Sequence, residues 1–337
     1  MRWFITPLVL SLLAACHVQA PVETAVDVTE PSPEPVDRGD EVVAPDVPEP
    51  AAVPPAASRP PGAVLPPATR LVAIGDVHGD IAALRGALKV AQVIDEEDRW
   101  VGGATTVVQV GDQLDRGDDE REILHWLEDL AIAAKAAGGA VYPMLGNHET
   151  MNVALDLRYV TAGGFVDFAD VAFDATDTFY GPYAPEEKGR VAAFRPGGPY
   201  AKLLAEHVVA LVVGDTAFAH GGLLPEHAAY GLATINSETR AWMLGQGPRP
   251  TVLSGDTSPV WSRHYSNGPD AADCALLEET LEALNAARMV VAHTVHKEGI
   301  TSACQGKVWR VDVGLAAYYG GPTQVLVIEG ETVTVLP

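Results

Sequence analysis

Gly146-Asn147-His148-Glu149 is a polar turn set between a short apolar run, Val141 to Leu145, and a helical pattern. A short apolar run that ends at glycine reads as a buried strand, so the turn lies at that strand's C-terminal mouth. Open α/β sheets keep their chemistry at such mouths. Two upstream motifs end strand-like runs in the same way. Gly75-Asp76-Val77-His78-Gly79-Asp80 follows Arg70 to Ile74, and Gly111-Asp112-Gln113-Leu114-Asp115-Arg116-Gly117 follows Thr105 to Val110. Three mouths in a row predict one shared site.

The segments between them supply the helices. Asp80 caps a pattern with Ile81, Leu84, Leu88 and Val90 on one side. Asp118-Asp119-Glu120 fall in the first turn of a second helix, where acidic groups suit the helix dipole. That helix carries Ile123, Leu124, Leu127 and Leu130 at helical spacing and stops at Gly138-Gly139. Strand, helix, strand, helix, strand is the pattern of βαβ crossovers and a parallel sheet.

Residues 150 to 200 are broken by Gly163-Gly164, Gly181-Pro182 and Gly197-Gly198 and read as helices and loops capping the site. Val208 to Val213 and Thr216 to Ala219 then form a hairpin turning at Gly214-Asp215 and running into His220-Gly221-Gly222. A helix over 275–287 precedes the strand Met289 to Ala292, which delivers His293. Val308 to Val313, Gln324 to Ile328 and Thr332 to Leu336 are the last strands, the final two a hairpin. The expected architecture is mixed α/β: two packed mixed β-sheets flanked by helices around a βαβαβ core.

The N-terminal 68 residues differ in kind. Met1-Arg2 and the apolar run Trp3 to Leu13 form a positive n-region and a short h-region, too short to cross roughly 30 Å of hydrocarbon. Leu13-Ala14-Ala15-Cys16 resembles the bacterial lipobox, which implies a signal peptide over 1–15 and a lipid on Cys16. Residues 17–68 hold 13 of the 26 prolines and nine Asp/Glu against Arg38 and Arg59, a composition that cannot bury enough apolar surface to offset its ordering entropy. They read as an extended tether, leaving a folded domain over 69–337. The expected location is therefore exported and membrane-anchored, facing the periplasm or the cell surface.

The formal charge of −23 includes no basic patch to follow a nucleic-acid backbone, so nucleic acid is excluded as a partner. An acidic body that acts on anions needs local positive charge, which a metal centre supplies. With Cys16 assigned to lipid, Cys274 and Cys304 remain as a disulfide pair in an exported protein.

The strand mouths together offer Asp76, His78, Asp112, Asn147, His148, His220 and His293. Hard oxygen donors mixed with imidazoles suit Mn²⁺, Fe or Zn²⁺ rather than Ca²⁺. Asp76 and His78, two apart in extended backbone, point to one side and can chelate one ion. A single carboxylate such as Asp112 can bridge two ions roughly 3.5 to 4 Å apart, as in two-metal hydrolases.

The order and spacing of these motifs resemble the calcineurin-like metallophosphoesterases, in particular the phosphoprotein phosphatase branch. The tail from Ala292-His293-Thr294-Val295 through Gly306-Lys307-Val308-Trp309-Arg310-Val311-Asp312-Val313-Gly314 resembles the Shewanella-like phosphatases. The resemblance implies one divalent transition metal on Asp76, His78 and Asp112 and a second on Asp112, Asn147, His220 and His293, with manganese first and Fe or Zn as alternatives. It also implies in-line attack on phosphorus by a metal-bound hydroxide, with no covalent enzyme intermediate. His148 is then the acid for the leaving oxygen, Asp115 its orienting partner, and Arg116 a fork on the phosphate oxygens. Arg263 is read as a second phosphate clamp, His296 as a rim residue and His125 as structural. The Ser-Ala-Pro-Asn-Tyr signature of eukaryotic-type relatives is missing, and Leu315-Ala316-Ala317-Tyr318-Tyr319-Gly320 stands near its place, so no regulatory subunit is implied. The expected function is a phosphomonoesterase acting on phosphoproteins or small phosphoesters. The alternatives are a dinucleotide polyphosphate hydrolase and a catalytically inactive binding lipoprotein.

Overall fold

In a computed structural model, residue 53 and residues 62–337 are described, and all belong to one compact unit. The leader, Cys16 and the tether's residues 17–52 and 54–61 lie outside the described residues.

In chain order the elements are β1 (Val64–Leu65), β2 (Leu71–Ile74), α1 (Ile81–Val90), β3 (Thr106–Gln109), α2 (Glu120–Ala136), β4 (Ala140–Pro143) and α3 (Asn147–Val153). Four short helices and a hairpin follow: α4 (Ala162–Val166), α5 (Lys188–Phe194), α6 (Pro199–Leu204), β5 (Ala210–Val213), β6 (Thr216–Ala219) and α7 (Pro225–Tyr230). The chain ends with α8 (Leu232–Met243), α9 (Ala271–Leu284), β7 (Arg288–Val291), β8 (Thr301–Ala303), β9 (Val308–Arg310), β10 (Val325–Glu329) and β11 (Thr332–Leu336).

The strands form two mixed sheets. One has the order β11-β10-β2-β3-β4, with β2, β3 and β4 parallel; the other has the order β1-β5-β6-β7-β9-β8, with β6, β7 and β9 parallel. Strand alternation explains how the second sheet serves two layers. Leu211, Val213, Phe218 and Val290 face the first sheet in one core, while Ala210, Val212, Ala217, Met289 and Val291 face the helices in a second. A bridge between Met144 and Val208 joins the sheets beside the polar turn after β4.

Three local readings change. The folded part begins before residue 69, because the Ala63 and Leu65 carbonyls accept from Val212 and Gly214 and make β1 an edge strand on β5. Pro66 and Pro67 follow at once, as an edge tolerates. α2 starts at Glu120, and that residue is buried against a cation rather than set at a solvated helix start. Strand β8, three residues at a sheet edge with no apolar pattern, has no signal in the sequence.

Cys274 at the start of α9 is bonded to Cys304 after β8, with Cα atoms 5.3 Å apart and a sequence separation of 30. Closing a loop of that length restricts the unfolded chain by about 3–4 kcal/mol. Reduction, or serine at both positions, is expected to lower stability by that order in urea unfolding. A loss below about 1 kcal/mol would count against a structural role for the bridge.

Candidate active site

Both parallel blocks point their C-terminal ends at one place. Asp76 and His78 follow β2, Asp112 follows β3, Asn147 and His148 open α3 after β4, His220 follows β6 and His293 follows β7. The mouths approach closely because of their glycines: a Cβ on Gly146 would lie 2.1 Å from Asp112 Oδ1, and one on Gly117 2.4 Å from the His78 carbonyl oxygen. His78, Asp112, Asp115, Arg116 and His293 all hold positive φ, from 41° to 71°. Such backbone costs on the order of 1–3 kcal/mol each and clusters where function over-determines the geometry.

Buried polar side chains fix the loops. Glu149 accepts from the amides of Gly146 (2.7 Å), Asp112 (2.9 Å), Gln113 (2.8 Å) and Leu114 (3.1 Å), tying the third motif to the second. Burial lifts its carboxyl to about 7, and the amide donors oppose that shift. Gln109 donates to the carbonyls of Gly75 (3.0 Å) and Gly111 (2.6 Å), while Gln113 donates to Gln109 and to the Met144 carbonyl. All three mouths are therefore stitched by side chains that a strand pattern does not reveal.

At the centre lies the Asp112 carboxylate. Its Oδ1 accepts from the His148 amide at 3.0 Å, and its Oδ2 lies 3.2 Å from His220 Nε2, 3.7 Å from His78 Nε2 and 3.8 Å from His148 Nε2. Second partners set the imidazoles. His78 Nδ1 bonds the Leu114 carbonyl at 3.0 Å and His220 Nδ1 the Val110 carbonyl at 2.8 Å, so each Nε2 lone pair faces the cluster. Asn147 Oδ1 is 3.0 Å from His220 Nε2. His293 sits between His220 and Trp261, its Nε2 buried without a partner.

The electrostatics describe a site that wants a cation. Burial, then the Asp312 and Asp112 carboxylates, push Asp76 well above its usual range, while burial pulls His78 down to about 4 and His293 far down as well. Burial also opposes charge on His148 and His220, and the neighbouring carboxylates and hydrogen bonds, Asp112 foremost, together raise both in spite of it. Asp76 Oδ1, Asp312 Oδ2 and His293 Nε2 are buried atoms with no hydrogen-bond partner. Unpaired buried acceptors are costly, and a divalent metal satisfies all three kinds. His78, Asp112 and His148, and separately Asp112, His220 and His293, have atoms close enough together to hold an ion.

His148 Nδ1 meets Asp115 Oδ2 at 2.5 Å, and behind Asp115 lies a part of the site that sequence reading missed. Arg190 of α5, fully buried, bonds Asp115 Oδ1 (3.2 Å), both Glu120 oxygens, Asn152 Oδ1 (2.9 Å) and the Gly164 carbonyl (2.8 Å). Asn152 also donates to Asp115 Oδ1 at 3.0 Å and to the His148 carbonyl at 2.9 Å. The aromatic rim was missed too. Arg116 lies 4.0 Å from the Tyr159 ring centroid and 5.0 Å from that of Tyr318, donates to the Tyr318 hydroxyl at 3.1 Å, and Tyr319 packs on His78. Both tyrosines belong to the 315–320 stretch that replaces the missing signature.

Arg263 lines the pocket, but its Nη1 bonds the His293 carbonyl at 3.0 Å and Thr294 Oγ1 at 2.6 Å. It holds the His293 loop with that arm, which the reading as a phosphate clamp did not include. His296 bonds the Ser266 carbonyl at 2.8 Å, and His125 stacks on Tyr200 with a 3.0 Å bond to its hydroxyl. The pocket bounded by Asp76, His78, Asp112, His148, Arg116 and Arg263 measures about 110 Å³.

Residues 69–297 match the family of calcineurin-like phosphoesterases. The chain belongs to that family. This phosphoesterase is 43% identical over 279 residues to Shewanella-like protein phosphatase 2 of Arabidopsis thaliana, covering 73% of the chain and 71% of the relative. It is 29% identical to Shewanella-like protein phosphatase 1 of Plasmodium berghei, over 75% and 69% respectively. Its fold matches the solved cold-active protein-tyrosine phosphatase of a psychrophilic Shewanella species, with a TM-score of 0.64, 24% identity and 82% of each chain covered. The enzyme is thus a hydrolase of phosphate esters, and the family together with the donor set implies divalent metals.

Proposed function

We propose that the enzyme is a dinuclear-metal phosphomonoesterase that removes phosphate from protein side chains. The observation that carries this reading is the position of Asp112 Oδ2, one carboxylate oxygen set among three imidazole nitrogens. Asp76, His78 and Asp112 would hold one ion, and Asp112, Asn147, His220 and His293 the other, with Mn²⁺ the first choice and Fe or Zn²⁺ the alternatives. Bound there, two divalent ions supply Lewis-acid stabilisation of the phosphoryl group and an activated water.

The chain's own residues do the rest. Arg116, braced by Tyr159 and Tyr318, presents its guanidinium fork to phosphate oxygens. His148 gives the leaving oxygen a proton from Nε2 while Asp115 holds Nδ1. Arg263 fixes the His293 backbone and lines the same pocket as Arg116, where it would be a second group for phosphate oxygens.

The pocket's volume supports a phosphomonoester held by its phosphate end, because pockets that enclose drug-sized ligands run to roughly 300–1,000 Å³. The aromatic rim favours a phosphotyrosine side chain over phosphoserine or phosphothreonine. Turnover of phosphotyrosine and phosphoserine peptides, set against diadenosine tetraphosphate and paired with metal analysis, tests the reading. Faster cleavage of the dinucleotide would replace it by the polyphosphate hydrolase. No bound metal and no p-nitrophenyl phosphate hydrolysis after Mn²⁺ addition would leave an inactive binding protein.

Asp112→Asn is expected to cost more activity than Asp76→Asn, because a bridging carboxylate serves both ions. Equal losses would argue against a bridge. Export and lipid anchoring through Cys16 complete the reading, supported by Leu13-Ala14-Ala15-Cys16 and by a disulfide suited to an oxidising compartment. Cys16→Ser is expected to move the protein from the membrane fraction to the soluble one, and retention in the membrane would count against the anchor.

A further inference from the structure

Asp312 lies just past β9 and has no part in the ligand set assigned above. Its side chain is 1% exposed and lines the catalytic pocket. Oδ1 accepts from the Gly314 amide at 2.9 Å, which fixes the carboxyl plane, while Oδ2 is buried and has no partner. The Asp312 carboxyl is in contact with that of Asp76, whose own Oδ1 is also buried without a partner. The approach is forced by the backbone: a Cβ on Gly75 would sit 2.3 Å from the Val311 carbonyl oxygen and 3.0 Å from Asp312 Cα.

Two buried carboxyls in contact are stable only with a proton shared or a cation held between them. His78 Nε2 lies 3.9 Å from Asp76 Oδ2 and 3.7 Å from Asp112 Oδ2, so the residues assigned to the first ion adjoin this pair. We propose that Asp312 is a carboxylate ligand of the first metal position, sharing that ion with Asp76. The ion would then meet three carboxylates and one imidazole, a harder donor set than the second position with one carboxylate, two imidazoles and one amide. The two positions should differ in preference, the first retaining hard ions such as Mn²⁺ or Fe against softer competitors.

The inference rests on the dinuclear reading, and metal content tests the two separately. The full chain is stripped of metal, titrated with Mn²⁺, dialysed and assayed for bound metal, as wild type and as Asp312→Asn, which keeps the bond from the Gly314 amide. Wild type is expected to retain two ions per chain. Asp312→Asn is expected to retain one, its other affinity falling at least tenfold, while the metal-free melting temperature does not drop, because a like-charge contact has been removed. Two ions held by the variant with unchanged affinity would overturn the proposal and leave the dinuclear reading standing. Wild type holding fewer than two ions would overturn both. If the asparagine variant melts low without metal, Asp312→Glu decides: recovery of the second ion supports a ligand role, and failure to recover it in a folded protein refutes one.

Discussion

Replacing Arg190 with methionine is expected to destabilise the fold by about 3–5 kcal/mol, the loss seen when one partner of a buried ion pair is removed. The guanidinium is wholly buried, 5.1 and 5.0 Å from the ring centroids of Phe168 and Phe194, which pack edge to face on each other. It is the cation paired with Glu120 and Asp115, which are both buried as well. Methionine fills much of the volume but leaves Glu120 without a counterion and Asp115 with only His148 beside it. Burial already raises Glu120 against the opposing pull of Arg190, so without the arginine its charge is harder still to sustain. Urea unfolding followed by circular dichroism measures the loss, and a change below about 1 kcal/mol would show that Arg190 is replaceable. Combining Arg190→Met with Glu120→Gln should recover part of the loss, because the second change removes the stranded charge, so the two effects should not add. Activity should fall further than stability explains, since Asp115 loses one of the groups that set its angle to His148.

The contrast between Arg190 and the strand mouths shows what the sequence could and could not reveal. Runs such as Leu71–Ile74 and Thr106–Gln109 end abruptly in Gly-Asp, so a buried strand and its polar mouth are legible from one local pattern. The same holds for His220 and His293, each the first polar residue after an apolar run. Arg190 sits in the seven-residue helix Lys188–Phe194, too short for a periodicity that separates a buried cation from a solvated one. Its partner Glu120 falls in the first turn of α2 as read, but the pairing was not legible, because an acidic residue at a helix start is satisfied equally well by the helix dipole and by a distant arginine. Glu149 was quoted as part of a motif, but three of its four amide contacts reach back over more than thirty residues and no local rule encodes them. Tyr318, Tyr319 and Asp312 lie in tail stretches whose resemblance to a family was clear while their geometry was not. The metal-site residues were therefore the readable part of the site, and the residues that aim them were not.

His148→Asn is expected to lower turnover by roughly 10²–10⁴-fold, the contribution of a positioned general acid, with metal content unchanged. The imidazole is buried, its Nδ1 is held by Asp115 Oδ2 at 2.5 Å, and its ring packs edge-on to His78 with centroids 4.8 Å apart. Nε2 is thus the only ring nitrogen free to serve the leaving group. It lies 3.8 Å from Asp112 Oδ2, beside His78 Nε2 at 3.7 Å, so metal content and not this distance separates an acid from a ligand. Burial opposes charge on the ring, and the Asp112 and Asp115 carboxylates together raise its proton affinity in spite of it. Asparagine preserves the α3 backbone and its amide bond to Asp112 but has no proton to give at that site. The size of the loss should then depend on the leaving group. An alkoxide leaving phosphoserine needs the proton badly, whereas p-nitrophenolate leaves well without it, so the defect should be severe on phosphoserine peptide and mild on p-nitrophenyl phosphate. A uniform defect on both substrates would remove the acid role. Loss of one metal equivalent from the variant would instead make His148 a ligand beside His78 and Asp112, the other grouping their positions allow.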